Sequence, residues 1–119
     1  MDKTPGIPEI DVQALAAKLR SKDQFILLDV REQWEVDAVS LSDSRLAIVP
    51  MTSLAQLGVA GLPEAAQSRE SELLVLCHHG VRSAQVAAWL SARGWTRVYS
   101  VSGGIDEYAR KVDPSIGTY

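Results

Sequence analysis

The chain has a single cysteine, Cys77, among 119 residues. One cysteine excludes an internal disulfide and a CxxC redox pair, and with only two histidines in the chain it offers no usual zinc site. The thiol therefore acts alone or with thiols of other molecules. No apolar run approaches the ~20 residues that cross a bilayer, and the polar N-terminus does not resemble a signal peptide. We therefore expect a cytoplasmic protein.

The sequence also lacks a basic cluster. Its formal net charge is −3, which argues against nucleic acid or an anionic membrane as a main partner. Gly103-Gly104 lacks the third glycine that a dinucleotide-binding loop needs, so we expect no nucleotide cofactor. The few cysteine and histidine residues likewise lead us to expect no metal. The length and the 46% of hydrophobic residues favour one domain over 1–119, with a flexible segment at about 1–8.

Apolar runs alternate along the chain with patterns of helical period, which is typical of βαβ units and of the α/β class. The pattern predicts strands at 25–28, 47–49, 73–76 and 98–101, and helices at 11–19, around 34–36, and at 52–57, 84–90 and 105–112. Large aromatic rings bury area efficiently, so Trp34, Trp89 and Trp95 are expected in the core or at its edge.

The most informative segment follows the predicted strand 73–76 and reads Cys77-His78-His79-Gly80-Val81-Arg82-Ser83. It places a nucleophile at a turn from a strand into a helix. The thiolate is the reactive form of cysteine, and a helix N-terminus, free backbone N–H groups and an arginine all stabilise its charge. The spacing therefore indicates an anion-binding loop around a reactive thiol.

The other residues of this loop have possible roles of their own. Gly80 permits an unusual φ, Arg82 offers a planar cation to an anion, and Ser83 can donate a further hydrogen bond. Arg82 could instead pair with a carboxylate of a helix. His78 and His79 add positive charge near neutral pH or are solvated loop residues.

Two polar residues follow the predicted strand 25–28, at the edge where open α/β sheets place their ligand sites. Asp29 either accepts hydrogen bonds from backbone N–H groups and shapes the turn, or takes part in the chemistry. The role of Arg31 is open in the same way, between structural support and chemistry. A lone cysteine after an apolar strand is most often a small buried hydrophobe. The residues from Gly80 to Ser83 favour a catalytic Cys77 instead.

Three segments carry a family resemblance, namely Leu28-Asp29-Val30-Arg31-Glu32, Cys77-x-x-Gly80-x-Arg82-Ser83 and Gly103-Gly104-Ile105. Together they resemble a single-domain rhodanese, a sulfurtransferase. The resemblance implies a three-layer sandwich with a mostly parallel central sheet flanked by helices. It also implies that Cys77 takes a sulfane sulfur from thiosulfate or a persulfide and passes it to cyanide or a thiol.

The same resemblance assigns roles to the remaining site residues. Residues 77–82, with Ser83 beyond, would cradle the outer sulfur, and Asp29 and Arg31 would support the loop from the neighbouring strand end. The acceptor could also be a protein thiol. The chain departs from the family pattern between Trp34 and Pro50, where rhodaneses often carry Gly-His-Ile.

Two other functions stay open. A rhodanese-fold module without catalysis, used for binding or regulation, is the main alternative because a fold alone does not establish turnover. A phosphatase or arsenate reductase is less favoured. Those enzymes space the cysteine and arginine one position further apart, whereas four residues separate Cys77 from Arg82 here. The shorter loop suits one sulfur atom better than a tetrahedral oxyanion.

Overall fold

A five-stranded parallel sheet forms the centre of the structure, a computed structural model that describes residues 6–119. Its strands are β1 (Glu9–Ile10), β2 (Ile26–Asp29), β3 (Leu46–Ile48), β4 (Leu73–Leu76) and β5 (Val98–Val101). They lie in the order β1-β5-β4-β2-β3, and each neighbouring pair is parallel. The predicted flexible segment, about 1–8, lies mostly outside the described residues.

Helices cover both faces of the sheet. They are α1 (Val12–Arg20), α2 (Gln33–Ala38), α3 (Met51–Leu57), α4 (Val81–Ala92) and α5 (Gly104–Lys111), with short 3₁₀ turns at Gly58–Gly61, Glu64–Ala66 and Pro114–Ile116. One core cluster packs β4 against α3 and α4, and a second packs the sheet against α1 and α5. The three-layer α/β prediction is confirmed.

None of the described helices combines the length and apolar character that a membrane span requires. The longest of them, α4, has 12 residues. The cytoplasmic location stays a prediction.

The register of the sheet brings two loops to one edge. Asp29 at the end of β2 pairs with Leu76 at the end of β4, and the N–H of Val30 donates to the carbonyl of Leu76 over 3.0 Å. All four residues of β4 are buried because strands flank it on both sides and helices cover both faces. Cys77, the next residue, therefore lies beside the turn that contains Arg31.

The three tryptophans differ in burial. Trp95 is buried and donates from its indole nitrogen to the carbonyl of Ala66 over 3.0 Å, and Trp89 packs partly buried against the same core. The prediction is confirmed for these two and wrong for Trp34, which is 67% exposed. The short helix α2 turns its Glu35 side inward, so the preceding position faces solvent.

The start of α5 is fastened to the loop that follows β4. The N–H groups of Ile105 and Asp106 donate to the carbonyls of Cys77 and His78 over 2.9 and 3.1 Å. Gly104 makes this approach possible, since it has a φ of 64° and a Cβ there would collide with the same two carbonyl oxygens. The fold thus fixes the backbone of the cysteine loop from outside.

We expect Gly104→Ala to lower the free energy of unfolding by about 3 kcal/mol, because it adds a collision with backbone to a left-handed φ. Gly94→Ala is the matched control. Gly94 also has a positive φ, but an added Cβ meets the exposed Arg69 side chain, which can move. Its expected cost is about 1 kcal/mol. Urea unfolding of both variants measures the difference, and equal losses would contradict the role given to Gly104.

Candidate functional site

The Cys77 sulfur lies at the base of the loop between β4 and α4, and the residue is only 1% exposed. The N–H groups of Gly80 and Ser83 donate to Sγ over 3.0 and 3.3 Å. Gly80 is the N-cap of α4 and has a φ of 100°, which turns the chain around the sulfur. Backbone donors at the start of a helix stabilise negative charge, so this arrangement suits an anionic sulfur or a bound anion.

Two buried serine hydroxyls form a chain of hydrogen bonds that leads from the sulfur into the core. Sγ lies 3.4 Å from the Ser83 hydroxyl, and that oxygen lies 2.8 Å from the hydroxyl of Ser100, with either serine able to donate. When Cys77 is a thiolate, the Ser100 hydroxyl can donate to Ser83 and the Ser83 hydroxyl to the sulfur. Ser100 belongs to β5 and pairs in register with Val75 of β4.

The guanidinium of Arg82 forms an ion pair with Glu35 of α2. Its two terminal nitrogens donate to Oε1 and Oε2 over 2.7 and 2.8 Å. These bonds lower the pKa of Glu35 from 4.5 to about 2, while the carboxylate raises the pKa of Arg82. Of the two arrangements that the sequence left open for Arg82, the structure contains the pair with a helix carboxylate. Anion binding by Arg82 stays a prediction.

A second ion pair lies behind the first. Arg31 is fully buried and donates to both carboxylate oxygens of Asp29 over 2.9 and 2.7 Å. Its remaining terminal nitrogen donates to the carbonyl of Glu35 and to the hydroxyl of Tyr119. The Tyr119 hydroxyl in turn donates to Glu35 Oε2 over 2.9 Å. Burial raises the pKa of Tyr119, so its phenol keeps the proton that this bond requires.

The two loop histidines stack on Tyr119. The His78 ring lies between Tyr119 and His79, with centroid distances of 4.0 and 3.8 Å. Burial lowers the pKa of His78, and the neighbouring His79 lowers it further, so His78 is neutral near pH 7. Nε2 of His78 is buried and has no hydrogen-bond partner in the described part of the chain.

His79 is exposed, and its Nδ1 lies 3.8 Å from the carboxylate of Asp106. Ligand atoms of these two residues and of His78 all fall within 4.8 Å of one another. The two imidazole rings stack on each other with their planes 30° apart. The Asp106 carboxylate also accepts a 2.9 Å hydrogen bond from Arg110. All three side chains of this cluster thus have contacts within the chain.

Of the predicted loop residues, Gly80 and Ser83 contact the sulfur, while Val81 is half exposed. His78 and His79 stack beside Tyr119, Arg82 pairs with Glu35, and Asp29 pairs with Arg31 at the neighbouring turn. Three further residues of the site were not predicted from the sequence. Ser100 could have been noticed as a polar residue within an apolar strand, and Glu35 as the acidic residue three positions after Glu32. Tyr119 offered no signal, because it is 84 residues from its acceptor.

Comparisons with known proteins place the chain in a family. The rhodanese-like domain matches residues 11–111. The chain is 38% identical over 117 residues to Rhodanese-like/PpiC domain-containing protein 12, chloroplastic, of Arabidopsis thaliana, which covers 95% of the chain and 38% of that protein. The chain therefore spans well under half of the plant relative.

Two further proteins are matched over nearly their whole length. A sulfurtransferase of Allochromatium vinosum is 28% identical over 104 residues, covering 87% of the chain and 90% of that protein. The crystal structure of the Saccharomyces cerevisiae single-domain sulfurtransferase RDL2 superposes with a TM-score of 0.70 at 25% identity. That match covers 95% of the chain and 98% of RDL2.

The Glu35 carboxylate gives the stability of the fold a defined pH dependence. In the folded protein the pKa of Glu35 is about 2, below the ordinary 4.5. The carboxylate therefore contributes to the free energy of unfolding above pH 4.5, and this contribution is lost as the pH falls toward 2. Between pH 6 and pH 3 we expect the wild type to lose about 2 kcal/mol more stability than Glu35→Gln.

Urea unfolding at the two pH values measures this difference. Glu32→Gln is the matched control, because it removes a carboxylate one turn earlier that contacts the Thr52 hydroxyl rather than Arg82. Because this variant leaves the Arg82 pair in place, the loss of stability assigned to that pair should persist in it. The assigned role of the Arg82 pair is wrong if Glu35→Gln and the wild type lose equal stability.

Proposed function

This chain belongs to the rhodanese-like domain family, and from that membership we propose that it is a sulfurtransferase whose Cys77 carries a sulfane sulfur as a persulfide. The donor is thiosulfate or a persulfide, and the acceptor is cyanide or a thiol. One observation carries the proposal, namely that the Cys77 sulfur accepts hydrogen bonds from two backbone N–H groups at the start of α4. A family fold without such a thiol would support binding only.

The proposed reaction is a double displacement through a covalent intermediate. The Cys77 thiolate attacks the outer sulfur of the donor, so a new S–S bond forms as the donor's S–S bond breaks. Sulfite or a thiolate leaves with the bonding electron pair. The acceptor then attacks the outer sulfur of the Cys77 persulfide, and the Cys77 thiolate is released for another cycle. No external oxidant or reductant is required.

The surrounding residues support this cycle by holding charge and position. The N–H groups of Gly80 and Ser83 stabilise the thiolate before transfer and after it, and the Ser83 hydroxyl adds a third donor. Asp29 and Arg31 are positioning residues, because they hold the turn before α2 and do not reach the sulfur. The exposed Val81 and His79 mark the side from which donor and acceptor approach.

The proposal predicts that Cys77 can be loaded with one sulfur atom. Intact-mass spectrometry after incubation with a sulfane donor should show a gain of about 32 daltons, and cyanide should remove it. Cys77→Ser should show no gain while it keeps the fold, because a hydroxyl of similar size replaces the thiol. Circular dichroism checks that fold.

A gain of mass that persists in Cys77→Ser would contradict the mechanism. Failure of every donor to load the wild type would favour a binding or regulatory module instead.

A further inference from the structure

The cations near the Cys77 sulfur are already paired with carboxylates in the described part of the chain. Arg82 shares two hydrogen bonds with Glu35, and Arg31 shares two with Asp29. Arg82 interacts electrostatically with Cys77, yet its charge is balanced by Glu35, as that of Arg31 is by Asp29. Among the described residues, the loop therefore stabilises a negative sulfur with N–H dipoles rather than with a cation that has no carboxylate partner.

The two histidines of the loop do not add an unpaired positive charge next to the sulfur. His78 is stacked and largely enclosed between Tyr119 and His79, and its Nε2 has no acceptor within the described residues. His79 is exposed to solvent and faces Asp106, which also holds Arg110. A positive charge on His79 would therefore meet a carboxylate first.

Sulfane donors differ in the charge that they bring to such a loop. Thiosulfate is a dianion, so its reaction with the Cys77 thiolate collects three negative charges around one sulfur. A persulfide is neutral or carries one negative charge. Unbalanced charge is costly in a partly buried site, where solvent screens it less than in bulk water. The paired arginines thus disfavour thiosulfate more than a persulfide.

Building on the sulfur transfer proposed above, we propose that Cys77 takes its sulfur from a persulfide rather than from thiosulfate, and that Glu35 sets this preference by neutralising Arg82. In the step, the Cys77 thiolate attacks the outer sulfur of R–S–SH. A new S–S bond joins Cys77 to that outer sulfur, the S–S bond of the donor breaks, and R–S⁻ leaves with its electron pair. The products are the Cys77 persulfide and a thiolate.

Glu35 is suited to this role by its surroundings. The side chain is 5% exposed, so water does little to screen it, and it accepts hydrogen bonds from the Tyr119 hydroxyl and the N–H of Glu32. Four donors in all fix the carboxylate on Arg82. Glutamine at this position can still accept from the Glu32 N–H, so Glu35→Gln keeps the helix start while removing the charge.

The test compares donors that differ in charge. Loading rates of Cys77 are measured by intact mass with thiosulfate, a dianion, with methanethiosulfonate, a monoanion that also donates its outer sulfur, and with cysteine persulfide. In the wild type we expect thiosulfate to load at least about tenfold more slowly than each of the other two. In Glu35→Gln the thiosulfate rate should rise about tenfold, and the methanethiosulfonate rate much less.

Glu32→Gln separates a local effect from a change of net charge. It removes one negative charge from the start of the same helix, but its carboxylate contacts Thr52 and leaves the Arg82 pair intact. Its donor preference should match the wild type. Equal gains in both variants, or a wild type that loads thiosulfate as fast as methanethiosulfonate, would overturn the inference.

If Glu35→Gln does not fold, the loading rates of the three donors on the wild type still test the preference for a persulfide. Loading by methanethiosulfonate without loading by cysteine persulfide would overturn the assignment of the donor class, while leaving sulfur transfer intact. Absence of loading from all three donors would instead overturn the sulfurtransferase proposal, and this inference with it.

Discussion

The carboxylate of Glu35 is the interaction on which the rest of the site depends. It accepts from Arg82 at the start of α4, from the phenol of Tyr119 and from the backbone before α2. One charged group therefore joins three segments that the sheet brings to a single edge. The cost of burying this charge is offset because each of its oxygens has two donors. Removal of Arg82 would leave the buried carboxylate without its cation, whereas removal of Glu35 would leave a partly exposed guanidinium without its carboxylate.

The register between β2 and β4 explains why this joining is possible. Asp29 and Leu76 end neighbouring strands, so the turns that follow them start side by side. The Asp29–Arg31 pair then directs the chain into α2, and α4 begins where its first N–H groups face Cys77. The site is thus assembled by the ends of two central strands, and the more distant helix α5 holds it from the opposite side.

The sequence alone was sufficient to predict those elements whose pattern lies within one contiguous segment. The apolar run of β4, the Cys77 loop and helix α4 are contiguous, so pattern and spacing predict them and their place at the sheet edge. Three features depended on tertiary contacts instead. The two residues of β1 are too short for a period, the exposure of Trp34 depends on which face of a six-residue helix turns inward, and Tyr119 meets Glu35 across 84 residues. The pairing of Arg82 with Glu35 likewise joins residues that lie 47 positions apart in the chain.

The bonds from α5 to the carbonyls of Cys77 and His78 have an electronic consequence. A carbonyl that accepts a hydrogen bond polarises its own peptide unit, and so makes the N–H on the other side of that unit a better donor. Because each trans peptide points its N–H away from its carbonyl, the units held by α5 direct their donor ends away from that helix. Those donor ends belong to His78 and His79, the two residues between Cys77 and the Gly80 N–H that donates to the sulfur. By holding this stretch of backbone, α5 defines the direction of the Gly80 donor before charge develops on the sulfur.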